Sequence, residues 1–257
     1  MNRKESHVLH LDILSLFPEA IEPYLSSSVL ARAKRTGTVD ICVTNFRDFS
    51  ENRHKTVDDY PFGGGAGMLL KAPPLFAAVD HVRALRNLEY APRVIMMTPQ
   101  GRTFNQAVAR ELKKERHLIF LCGHYEGFDD RVRQHLATDE LSIGDFVLTG
   151  GELAALVVVD AVVRLMPGVL GNEESPKQDS HENGMLEYPQ YTRPRKFREW
   201  EVPEVLLSGH HENIEAWRRR EALANTCRNR PDLFMKLPLD ERERSEIVRY
   251  VNGYVEN

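Results

Sequence analysis

Between Val8 and Gly171, short apolar runs alternate with longer amphipathic stretches, the pattern of strands joined by helices and therefore of a parallel sheet. Residues 9–16 predict the first strand. Pro18 then opens a helix expected to end before Gly37, because proline suits the first helical turn and glycine follows helix ends. A strand is expected over 39–44, a polar glycine-rich loop from about 46 to 68, and a helix from near Pro74. Residues 93–98 and 117–122 predict strands on either side of a helix over 105–114, and 150–166 predict a long apolar helix punctuated by Glu152, Asp160 and Arg164. From 171 to 187 the chain turns polar without periodicity, as a linker or mobile loop does. Strand signals stop there, and 212–228 and 240–254 predict amphipathic helices. The expectation is an α/β domain over 1–170, a linker over 171–178 and a small helical domain over 179–257.

Composition narrows the class. A chain of 257 residues, 42% apolar and 28% charged, buries a sizeable core. The longest strongly apolar run, 153–159, is closed by Glu152 and Asp160 and falls far short of the ~20 residues of a membrane span, so no membrane role is expected. Arg3 and Lys4 precede an apolar stretch that His10 and Asp12 interrupt, which does not read as a secretory signal, and a cytoplasmic location is expected. Cys42, Cys122 and Cys227 are too widely spaced for a disulfide framework or a metal knuckle. A net charge of -4 argues against a surface coated in basic residues. Local clusters remain: Arg193, Arg195, Lys196 and Arg198; Arg218, Arg219 and Arg220; Arg228 and Arg230. Acidic residues interleave them, so a solvated face and a nucleic-acid surface both stay open.

Three glycine-punctuated segments each follow an expected strand: TPQGR at 98–102, GHYEG at 123–127 and SIGDFVLTGGE at 142–152. Ligands of parallel α/β sheets sit beyond the carboxyl ends of the strands, so three such loops could converge on one ligand, although each alone reads equally as a tight turn. Neither these nor the run Gly63-Gly64-Gly65-Ala66-Gly67 fits GxGxxG or a phosphate-binding P-loop. His124 and Glu126 give an HxE string, but no PCxxC follows, and the ten histidines form no HExxH pair, so metal catalysis has no motif behind it. Asp179, with Glu182 three residues on, reads as a helix N-cap, and Arg164 as a surface arginine whose stem covers apolar neighbours.

Taken together, FP at 17–18, HKTVDDYPFGGGAGM at 54–68, TPQGR at 98–102, GHYEGFDDR at 123–131, SIGDFVLTGGE at 142–152, PGVLG at 167–171, EYP at 187–189, YTRP at 191–194 and EVPEVLLSGHH at 201–211 resemble the bacterial tRNA (guanine-N1)-methyltransferase family, TrmD type, of the knotted SPOUT class. The resemblance covers nearly the whole chain. It implies an α/β fold whose parallel sheet ends in a trefoil knot, followed by the helical domain. It implies that S-adenosylmethionine binds through Pro99, Gly101, Gly123, Tyr125, Glu126, Ser142, Ile143, Gly144, Asp145, Phe146, Val147, Leu148, Gly150 and Gly151. It further implies a homodimer with an active site shared between subunits, and a target guanosine at tRNA position 37, beside the anticodon. Asp179 aligns with the family's general base and Arg164 with an arginine suited to the charge that develops on O6 of the base. The family's activity is associated with magnesium, for which the sequence offers no ligand cluster. His181 stands where the family has an aromatic residue. Two other readings belong to different classes: another S-adenosylmethionine-dependent RNA methyltransferase, such as an unknotted Rossmann enzyme, which should carry a glycine-rich loop where 16–19 reads LFPE; and a non-catalytic RNA-binding module, which should fail to bind S-adenosylmethionine.

Overall fold

The computed structural model describes residues 8–87, 89–171 and 179–253, so the expected linker, Gly171 excepted, lies outside the described residues. The chain divides into two compact units, 1–172 and 173–257.

The first unit is built on a five-stranded parallel sheet of β1 (Leu9–Ser15), β2 (Val39–Asn45), β5 (Arg93–Thr103), β6 (His117–Cys122) and β7 (Asp139–Ser142), in the order β2-β1-β6-β5-β7. Strands β3 (Asp58–Asp59) and β4 (Leu69–Leu70) form a separate antiparallel pair. Strand β6 is buried along its whole length. Its side chains alternate between two cores, as strand geometry requires. Leu118, Phe120 and Cys122 join a core shared with α1 (Pro18–Leu25), α2 (Ser28–Arg35), α4 (Gln106–Leu112) and α6 (Glu152–Val163). Ile119 and Leu121 join a second core with α3 (Ala72–Arg86) and α5 (Asp130–His135). Both faces of the sheet are therefore covered, which is why the central strand reads as a continuous apolar run.

Four local expectations need correction. The helix anticipated from Pro18 to Gly37 is two helices, broken at Ser26 and Ser27, with Ser28 at φ 46° and Pro23 unable to donate inside α1. Strand β5 runs on to Thr103 because Met97 and Arg102 both pair with Leu141, so residues 98–101 bulge out between them. Strand β7 and α5, of four and six residues, were too short to leave a periodic signal. The second unit is not purely helical: β8 (Lys196–Phe197) and β9 (Trp200–Glu201) form an antiparallel hairpin.

At the sheet edge, Arg102 makes a two-pronged contact with Glu111, 3.0 Å at each prong, and reaches Asp139 at 2.8 Å, while Arg93 bonds the same two carboxylates. The Arg102 hydrogen bonds, and then those of Arg93, hold the Glu111 carboxyl at about 2 against an ordinary 4.5. A carboxylate depressed on folding stabilises the protein at pH above its unfolded value, and that contribution is lost as pH falls through the folded value. Glu111→Gln is therefore expected to lower the Tm at pH 7 more than at pH 3. Thermal unfolding of both proteins across that range checks it; a gap that does not shrink below pH 4.5 refutes the assignment.

The second unit packs α7 (His211–Asn229), α8 (Pro231–Phe234) and α9 (Glu241–Gly253) around Leu223, Ala224, Phe234, Leu237, Ile247 and Val251. Residues 179–187 form a tied turn and no helix, so Asp179 is not an N-cap: the Glu182 amide donates to the Asp179 carbonyl at 3.2 Å and the His181 amide to Met185 at 2.7 Å. The Leu186 amide donates to Thr226 Oγ1 and Asn225 Nδ2 donates to the Glu187 carbonyl, fastening the turn to α7.

Candidate active site

The three glycine segments meet at the carboxyl ends of β5, β6 and β7 around a cavity of about 510 Å³, within the range of ligand pockets. Pro99, Gly123, Tyr125, Glu126, Ser142, Ile143, Gly144, Phe146, Val147, Leu148, Gly150 and Gly151 line it. Gly101 and Asp145 do not, although both were expected to. Gly101 instead lets the bulged β5 lie against β7, where a Cβ would stand 2.4 Å from the Glu140 carbonyl carbon. Asp145 is exposed. The lining residues missed by sequence reasoning include Met96, Met97, Gln100, Phe128 and Arg133.

The cavity floor is built by close backbone approach. The Gly151 amide donates to the Gly123 carbonyl at 2.9 Å, and His124 and Gly150 form an isolated bridge. A Cβ on Gly151 would stand 2.8 Å from Cys122 Cα and 2.9 Å from the Gly123 nitrogen. Since those atoms are main chain, Gly151→Ala must part the end of β6 from the start of α6. Stability should fall by about 1–3 kcal/mol and the cavity's ligand should be lost, by urea unfolding and calorimetry, whereas Gly171→Ala, with nothing within 4 Å, leaves both intact.

Behind the floor sits a buried carboxylate. Ser15 Oγ donates to Glu152 Oε1 at 2.6 Å, and His124 Nε2 lies 3.5 Å from Glu152 Oε2. Glu152 opens α6, where the helix dipole favours negative charge. This trio ties β1, the 123–127 loop and α6 together. At the third loop Ser142 Oγ donates to the Gly144 carbonyl at 3.0 Å, and Gly144 takes φ 147°, which a side chain would resist. The glycine-rich run also reaches the site, because a Cβ on Gly67 would meet the Glu126 side chain at 2.4 Å.

The lining offers a pyrophosphate little cationic charge. Its one arginine, Arg133, is already held by Glu140 at 3.0 Å and by the Gln100 amide oxygen. Main-chain groups of the glycine loops, the carboxylates of Glu126 and Asp130, and neutral polar residues such as Thr98, Ser142 and Thr149 supply further polar lining. Arg164 lies at the other end of α6 from this floor, as its C-cap, half-buried. Asp179 belongs to the second unit, half-buried at the head of the tied turn. Among the described residues, no group of three or more His, Cys, Asp or Glu could hold a metal ion, and no helix is long and apolar enough to cross a membrane.

Comparison with known proteins places the chain in a family. Residues 9–236 match the family model described as tRNA (Guanine-1)-methyltransferase TrmD. A tRNA (guanine-N(1)-)-methyltransferase of Brevibacillus brevis is 58% identical over 91% of this chain and 94% of its own length. Proteins of the same name from Anoxybacillus flavithermus (55% identical, 94% of this chain, 98% of its own) and Dehalococcoides mccartyi (57%, 92% and 94%) are similarly close. This chain belongs to the tRNA (guanine-N1)-methyltransferase family.

Proposed function

We propose that the protein transfers a methyl group from S-adenosylmethionine to N1 of guanosine-37 in tRNA. The observation that carries the reading is the convergence of three glycine loops on one cavity at the strand ends, in a chain of this family. S-adenosylmethionine supplies an electrophilic methyl group on a sulfonium. Main-chain groups of 123–127 and 142–151 hold it, and Gly150 keeps the wall open, since a Cβ there would lie 2.3 Å from His124 Nε2. N1 of neutral guanine carries a proton, so its lone pair is unavailable until a base removes it. Asp179 takes that proton as general base. Negative charge then spreads onto O6, where the Arg164 guanidinium stabilises it. Among the described residues no group of three or more His, Cys, Asp or Glu is present to hold magnesium.

We infer that the first unit carries the family's trefoil knot. Its support is the path after edge strand β7: the chain returns across β5 to the end of β6, and α6 packs beneath β1 and β6. The enzyme works as a homodimer with a shared active site. Leu153 and Val157 stand 61% and 48% exposed one turn apart on α6, an apolar stripe suited to a second copy. Arg164 lies about 18 Å along that helix from Glu152, at 1.5 Å per residue, which favours its serving the partner's cavity.

The test is methyl transfer to unmodified tRNA transcripts. Label is expected at N1 of guanosine-37 and absent from a transcript with cytidine at 37. Cofactor binding without transfer to any tRNA would leave the cofactor reading standing and overturn the substrate.

A further inference from the structure

The β8–β9 hairpin presents two large aromatic rings to solvent. Phe197 is 58% and Trp200 65% exposed, and they are a cross-strand pair with ring centroids 6.1 Å apart. The Arg198 guanidinium lies 5.3 Å from the Phe197 ring and 5.8 Å from the Trp200 ring. Arg198 stands at the hairpin tip with φ 55°, a backbone conformation that glycine adopts without cost. A long side chain in that position, beside two rings with no core to enter, is an arrangement that packing within the chain does not explain. The surrounding charge is net basic in a chain of net charge -4: residues 193–201 carry Arg193, Arg195, Lys196 and Arg198 against Glu199 and Glu201, and the two glutamates lie 3.9 and 3.4 Å from Lys196, leaving the arginines in excess.

We propose that this hairpin is a stacking platform for an unpaired base of the substrate RNA, with Phe197 and Trp200 offering ring faces and the neighbouring basic side chains meeting the flanking phosphates. The assignment rests on the methyltransferase reading above. Exposed aromatic rings beside arginine are the usual means of holding single-stranded bases without reading their identity, because every base has a π-face. The partner is thereby a loop or end of the RNA, since bases within a duplex are already stacked.

Trp200 and Trp217 are the chain's two tryptophans, so Trp217→Phe makes Trp200 the sole tryptophan, whose emission is read by excitation at the red edge where tyrosine does not absorb. On titration with unmodified tRNA, Trp200 emission should be quenched. Phe197→Ala/Trp200→Ala should weaken tRNA binding on the order of tenfold or more and raise KM for tRNA, with affinity for S-adenosylmethionine unchanged and the Tm held. Trp200→Tyr, which keeps a ring, should restore most of the loss. Wild-type affinity in the double variant, with no quenching of Trp200 by tRNA that the protein methylates, overturns the platform and leaves the enzyme reading intact. Loss of the wild-type oligomeric state in place of RNA affinity assigns the hairpin to a protein contact and also overturns it. Failure of the wild type to bind or methylate any tRNA brings down both readings.

Discussion

Asp179→Ala is expected to lower kcat for methyl transfer by about 10²- to 10⁴-fold, the usual contribution of a positioned general base, while binding of S-adenosylmethionine survives. The size follows from the chemistry of the target: the lone pair on N1 appears only when the proton leaves, so removal of the base raises the barrier of the step itself. The turn carrying Asp179 makes the experiment interpretable. It is held by main-chain donors, Glu182 to the Asp179 carbonyl, His181 to Met185 and Leu186 to Thr226, none of which needs the Asp179 carboxylate. Asp179→Asn, which preserves shape and removes the basic oxygen, should lose as much as alanine does. A loss in KM for tRNA alone, with kcat within a factor of a few of wild type, would make Asp179 a binding residue and place the base elsewhere.

The parts of this molecule that could be read in advance are those where local sequence and environment agree. Strand β6 was legible because burial on both faces demands six apolar-compatible residues in a row, and the amphipathic α7 and α9 because each has one face to bury. Strand β7 was not, since an edge strand of four residues that begins with Asp139 and Glu140 carries no pattern; its partners are the guanidiniums of Arg93 and Arg102, distant in sequence. The hairpin at 196–201 has two residues per strand and alternates charge with ring, which resembles a loop. For the site, glycine spacing pointed to the three loops. It could not distinguish Gly101, whose missing side chain makes room for β7, from Gly151, whose missing side chain shapes the cavity floor. The Ser15–Glu152–His124 trio was invisible for a simpler reason: Ser15 and Glu152 are 137 positions apart, and each alone looks ordinary.

Asp12, the charge that breaks the first apolar run, marks the second large effect. Its carboxylate is buried in β1 and accepts from Arg86 Nε at 3.0 Å and Nη2 at 3.1 Å, and His117 Nε2 lies 2.8 Å away on β6. Asp12→Ala leaves the Arg86 guanidinium, 15% exposed, with Asp40 as its remaining carboxylate partner, strands its Nε and Nη2 donors and takes the buried partner from His117. Leaving these buried donors unsatisfied costs about 1–3 kcal/mol for each group, against a total of about 5–15 kcal/mol for a typical protein, so chemical denaturation should show loss of a large share of the stability. The mechanism is separable from simple loss of packing. Asp12→Leu combined with Arg86→Met removes both partners and should recover much of the deficit, because the cost lies in the buried Arg86 donors left unsatisfied more than in the missing contact. Function should stay apart from stability here. The cluster occupies the β1 and β6 segments that begin at His10 and His117, whereas the cavity opens at the carboxyl ends of β5, β6 and β7. Asp12→Ala protein that remains folded is therefore expected to bind S-adenosylmethionine with wild-type affinity at low temperature and to lose it only as it unfolds. A double variant no more stable than Asp12→Ala would show instead that the Asp12 contact with His117, and not the Arg86 donors left behind, carries the energy.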